Sequence, residues 1–216
     1  MKNFFKNLSI RAKLILSFLV VISLFVAIAI YQIINLDRIQ ELQDAGNKRA
    51  EDAIFISKEG NLGAHTYRII ADAIINRDKE VTKFKWLKIK EENKQAFNQL
   101  RKIMDTEQEK KWLNESEKNY EMLENIFETE LMPLLFSQTA DSLQSQKMAQ
   151  IRQIDVKIDN IVDDIQNPLL SILESLNKES EDADILFDNS IEDIENLTLT
   201  VVIIVVVLSI ILVAIL

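Results

Sequence analysis

The sequence predicts an all-α protein, an antiparallel up-down four-helix bundle flanked by two transmembrane helices. Three observations carry this expectation. Two uncharged apolar runs, Leu14 to Leu36 and Leu197 to Leu216, bracket the chain. Between them, apolar residues recur at helical spacing for nearly the whole length. Gly and Pro, with three and two residues, are too scarce for a fold rich in β-turns.

The apolar runs contain 23 and 20 residues. Each suffices to cross a hydrocarbon core of about 30 Å at roughly 1.5 Å per helical residue. Residues 1–13 carry Lys2, Lys6, Arg11 and Lys13 and no acid. That basic excess places residues 1–13 in the cytoplasm and residues 37–196 on the other side. Subtracting those four from the 25 basic residues leaves 21 against 34 acidic ones, a net charge of −13 for the middle segment. Such a surface repels anionic lipid and nucleic acid, so neither is expected as a partner. A cleaved signal sequence is the alternative for the first run, because Ala27-Ile28-Ala29 fits the small-residue cleavage pattern. Apolar character continuing through Ile34 favours an uncleaved anchor. The second run has no basic residue after it, unlike a usual stop-transfer segment. The expectation is the front part of a longer protein, or a truncated one.

Three interruptions divide the middle segment into helices over about 37–76, 79–104, 106–137 and 142–196. The first is Asn76-Arg77-Asp78. The second, near Met104 to Thr106, sets Asp105 and Gln108 at capping-box spacing, and Asp141 and Gln144 repeat that spacing at the third. Helix two carries an apolar stripe of Trp86, Ile89, Phe97, Leu100 and Ile103. Helix three carries Leu113, Tyr120, Leu123, Phe127 and Leu134. Helix four carries Met148, Ile151, Ile158, Ile161, Ile165, Leu169, Ile172, Leu176, Ala183 and Leu186. Each stripe must be buried against a neighbour, and four helices with short connections close around one core. Helix one differs, with a heptad seam of small residues: Gly46, Ala50, Ala53, Ser57, Gly60, Ala64, Tyr67, Ala71 and Ile74. Small seam residues admit a second helix closely. A homodimer interface and a tight contact within one bundle fit equally. Pro133 is expected to end or bend helix three. Pro168 either kinks helix four or marks a helix break.

The composition removes most chemistry. There is no cysteine, hence no disulfide, thiolate nucleophile or cysteine-ligated metal. His65 is the only histidine, and no glycine-rich phosphate loop occurs. Carboxylate pairs such as Glu91-Glu92 and Asp163-Asp164 read as solvated helix faces. No catalytic residue, cofactor or metal site is therefore assigned. For a ligand, counting from the far turns sets Arg68 and Arg152 at similar heights on antiparallel helices, with His65 one turn from Arg68. Two guanidinium groups could hold a carboxylate or phosphate. The alternative is ordinary surface arginines paired with nearby acids.

The basic start, FFKNLSIRAKLILSFLVVISLF running into a long first helix, the AIINRD turn and a second span after a long fourth helix form one layout. It resembles the N-terminal sensor region of methyl-accepting chemotaxis proteins, the bacterial chemoreceptors. The resemblance implies a two-pass receptor of the bacterial inner membrane that binds a small molecule outside and signals inward by a shift of its fourth helix. It also implies chemotaxis signal transduction through HAMP and signalling domains, which these 216 residues do not contain. The same layout could serve as the input of a membrane histidine kinase or cyclic-dinucleotide cyclase, or as a structural tether binding a protein.

Overall fold

A computed structural model describes residues 9–138 and 143–215. They are helical apart from short connections, and no strand occurs among them. The elements are α1 (Ile10–Glu59), α2 (Leu62–Asn76), α3 (Lys79–Ile103), α4 (Glu107–Ile126), a π-helical turn (Phe127–Leu131), α5 (Met132–Phe136) and α6 (Gln144–Ile215). The chain divides into two compact units. One pairs Met1–Lys48 with Ser180–Leu216, and the other is Arg49–Glu179.

In the terminal unit, two helices are long and apolar enough to cross a membrane. Their apolar stretches are scarcely buried, with Phe18, Leu36 and Ile203 all more than half exposed. The polar residues inside them are satisfied locally. Ser17, Ser23 and Ser209 donate to the carbonyls of Lys13, Leu19 and Val205, one turn back. This removes the cost of a bare hydroxyl in an apolar medium. Gln32 Nε2 donates to Thr198 Oγ1 at 3.2 Å. Gly46 meets α6 closely, since a β-carbon there would lie 3.2 Å from Ala183 Cβ, and Ser180 Oγ donates to the Gly46 carbonyl at 3.2 Å.

The central unit departs from the sequence expectation at helix one, which is not continuous over 37–76. It stops at Glu59 and restarts at Leu62. The Gly60 amide still donates to Ile56 O at 2.7 Å, but a β-carbon on Gly60 would collide with that same carbonyl oxygen. Only glycine fits this tightened turn. The interruption also changes the helix phase. The buried positions beyond it are Leu62, Gly63, Thr66, Ile70 and Ala73, whereas the expected seam residue Ala64 is exposed.

The next connection follows the sequence. Arg77 ends α2 in the left-handed region (φ 53°), and Asp78 caps α3 by accepting from the Val81 amide at 3.0 Å. At the following turn the capping box is Thr106–Glu109, one residue beyond the expected Asp105–Gln108. Thr106 Oγ1 accepts from the Glu109 amide, and Glu109 Oε2 accepts from the Thr106 amide. Asp141, half of the third expected box, lies outside the described residues, and α6 begins at Gln144.

Pro133 widens helix three instead of ending it. Lacking an N–H and crowding the carbonyl four residues back, it sits just beyond the π turn, where the Met132 amide reaches Phe127 O. Pro168 does not break helix four, and α6 runs unbroken through it. The core is built from the expected stripes. Leu100, Leu113, Leu123, Phe127, Ile158 and Ile165 are almost wholly buried, and Trp86 packs on Phe127 with ring centroids 4.3 Å apart. Leu186 leaves its stripe and is exposed, because α6 turns Ala183 rather than Leu186 toward Gly46.

Candidate functional site

The α2–α3 connection folds the two helices against each other, and a cleft of about 440 Å³ opens between their outer faces. It is lined by His65, Arg68, Ile69 and Asp72 from α2, and by Lys85, Lys88, Ile89 and Glu92 from α3. Ile69 and Ile89 are half-buried and form its apolar floor. A second cleft of about 360 Å³ shares His65, Ile89 and Glu92 and extends along α3 toward Phe55 and Glu59.

The charges in the first cleft are uneven. Lys85 Nζ lies 2.7 Å from Asp72 Oδ2, and Lys88 Nζ lies 3.6 Å from Glu92 Oε1. Arg68 has no acidic partner within ion-pair distance among the described residues. Three fixed cations thus face two acids, with the exposed Arg68 guanidinium as the surplus charge. The hydrogen bond from Lys85 holds the Asp72 carboxyl below its ordinary range, helped by Asn76. Asp72 is therefore ionised and tethers Lys85 at physiological pH. Such a surface can accept a carboxylate on Arg68 while apolar parts of a ligand lie against the two isoleucines.

Of the residues singled out from sequence, His65 and Arg68 share this cleft. Arg152 is exposed on α6 and does not line it. Lys85 and Lys88 take the place expected for Arg152. The signal for them was present: Arg68 and Lys85 stand at comparable distances on either side of the Arg77 turn, so a helical hairpin sets them side by side. The choice between the second and fourth helices as Arg68's neighbour depended on packing order.

Behind the cleft, α2 is bound to α6. Tyr67 donates its hydroxyl to Asp155 Oδ1 at 3.2 Å. Burial, with Asp155 and Asp159 adding to it, pushes that phenol up to about 12. A β-carbon on Gly63 would lie 3.0 Å from Val162 O, so the two helix backbones are in near contact. Gln166 Nε2 donates to Gly60 O at 3.1 Å, across from the break after α1. Among the proposed seam residues, Gly60 and Ala53 are buried, Gly46 and Ala50 half-buried, and Ala64 exposed. Gly46 faces α6 of the same chain, as does Gly63, so these close approaches arise without a second copy. A polar network crosses the interior nearby: Asn93 Nδ2 donates to Thr66 Oγ1 at 2.7 Å, and Thr66 donates to Leu62 O.

No family model matches the chain, and neither a curated protein nor a solved structure matches it significantly.

Proposed function

We propose that this chain is the sensory portion of a two-pass membrane receptor, its central helices arranged as an antiparallel four-helix bundle outside the cytoplasm. Residues 1–13 face the cytoplasm, the apolar parts of α1 and α6 cross the bacterial inner membrane, and the protein works as a homodimer in chemotaxis-type signalling. The observation that carries the sensing role is the α2–α3 cleft, in which Arg68 is the surplus cation above an apolar floor. Its ligand is a small organic acid or amino acid, bound through its carboxylate.

The relay follows from what α2 touches. A ligand that draws Arg68 and Lys88 together shifts α2 against α3. The Tyr67–Asp155 and Gln166–Gly60 bonds and the Gly63–Val162 contact pass that shift to α6. Because α6 is one helix over 72 residues, it transmits a displacement that a loop would absorb.

The test is thermal unfolding of the full chain in detergent micelles, screened against amino acids, organic acids and aromatic compounds. A ligand of the folded state alone raises the midpoint by mass action. A carboxylate is expected to raise it, with the rise lost in Arg68→Ala and kept in Arg152→Ala. A screen without any rise would leave the tether reading in its place. Ultracentrifugation of the same samples reports the homodimer.

A further inference from the structure

Outside the cleft linings, three carboxylates pair with one arginine and a fourth lies beside them. Arg49 of α1 pairs with Glu179 of α6 through Nε at 2.7 Å, with Asp105 through its second terminal nitrogen, and more distantly with Asp52 at 3.6 Å. Glu109 of α4 completes the group but is not one of Arg49's partners. Carboxylate oxygens of Asp105, Glu109 and Glu179 all lie within 4.8 Å of one another.

Glu109 makes this more than an acidic patch. Its side chain is fully buried, at 0 % exposure. One oxygen is turned back onto the Thr106 amide, while the other, Oε1, is buried without a hydrogen-bond partner. A buried carboxylate oxygen left bare is costly, and native structures pair such groups with donors or cations. The single guanidinium leaves the four acids three negative charges in excess. Asp105 is more than half exposed and provides an entry path from solvent.

We propose that Asp105, Glu109 and Glu179 form a binding site for a hard divalent cation of the calcium class. The donors are all oxygen, which selects calcium or magnesium over zinc or copper. Ligand number favours calcium, which takes about six to eight oxygens, over magnesium, which keeps several waters and is usually held by one or two carboxylates. Water completes the coordination on the Asp105 side. Arg49 stays on the outer oxygens of Asp105 and Glu179. The bound ion links the α3–α4 turn to α6, so the site bears on the helix that continues into the second apolar run.

The experiment is equilibrium dialysis of the full chain in micelles against radioactive CaCl2, with thermal unfolding in CaCl2, MgCl2 and NaCl at matched ionic strength. One saturable calcium per chain is expected, with a midpoint raised by CaCl2 more than by MgCl2. Glu109→Gln keeps the capping box, since glutamine serves that position equally, so the variant folds while losing an anionic ligand. It should lose both binding and the midpoint rise, whereas Asp163→Asn/Asp164→Asn should keep both. No saturable binding, equal binding by Glu109→Gln, or an equal response to MgCl2 would each overturn the assignment.

Discussion

Asn119 of α4 donates its side-chain amide to the carbonyl of Asp164 in α6 at 3.1 Å. That carbonyl is the one Pro168 leaves without its helical donor, because proline has no N–H to offer four residues on. One turn away Ser116 donates to the Ile165 carbonyl at 2.9 Å. Helix α6 therefore passes through Pro168 with its backbone satisfied from a neighbouring helix.

This relationship predicts a paired result. Asn119→Ala should destabilise the fold by about 0.5–1.5 kcal/mol, the usual net worth of one hydrogen bond. Pro168→Ala restores the internal donor and should cancel most of the Asn119→Ala loss in the double variant. Chemical unfolding of the four proteins gives the coupling. Additive effects would show that Asn119 does not serve this carbonyl.

The buried Thr66–Asn93 pair should behave as a unit. Thr66→Val removes the hydroxyl that accepts from Asn93 Nδ2 at 2.7 Å and should cost about 1–3 kcal/mol, because it leaves a buried donor poorly satisfied. Thr66→Val/Asn93→Leu removes both partners and should recover part of that loss, measured by the same unfolding curves.

Gly60 and Gly63 reverse the usual ranking of helix formers. Replacing a mid-helix glycine by alanine ordinarily stabilises by about 0.5–1 kcal/mol. Here Gly60→Ala forces a β-carbon into Ile56 O, and Gly63→Ala brings one to 3.0 Å from Val162 O. Both variants should lower the thermal midpoint, Gly60→Ala by more. A raised midpoint for either would show that the backbone relaxes freely there.

Two carboxyls give pH dependences of opposite sign. Asp72 is held below its ordinary range by Lys85. Its contribution is therefore complete above about pH 4, the unfolded carboxylate value, and is lost as pH falls through the lower folded value. Burial raises the Glu124 carboxyl, with Lys90 opposing it. The folded state then binds the proton more readily, and stability falls as pH rises from about 4.5 through the raised folded value. Asp72→Asn should flatten the acid limb of a midpoint-against-pH curve, and Glu124→Gln should remove the fall above it. An unchanged acid limb in Asp72→Asn would refute the Lys85 tether.

Much of the fold was legible because local rules governed it. The stripes on α3, α4 and most of α6 are buried as their periodicity required, and Asp78 caps α3 at the expected turn. The errors fall where a neighbouring helix intervenes. Spacing alone read Gly60 as one more small seam residue, but it is the end of a helix whose freed carbonyl is met by Gln166. Pro168 left a kink and a break open, and the donors that keep α6 continuous there, Asn119 and Ser116, come from another helix. Of the carboxylates at 105, 109 and 179, Asp105 read as a helix cap, and the spacing of Glu109 and Glu179 carries no motif.

By itself, the sequence determined what depends on one helix at a time: helical content, the turns at Arg77 and near Thr106, which faces are apolar, and two runs long enough to span a membrane. Those follow from backbone hydrogen bonding and side-chain hydrophobicity, which act over a few residues. Tertiary structure alone decided which helix lies beside Arg68, how the carbonyls freed at Gly60 and Pro168 are satisfied, and which acids gather around Arg49. Each depends on groups brought together across long stretches of chain, where packing order rather than local spacing selects the neighbour.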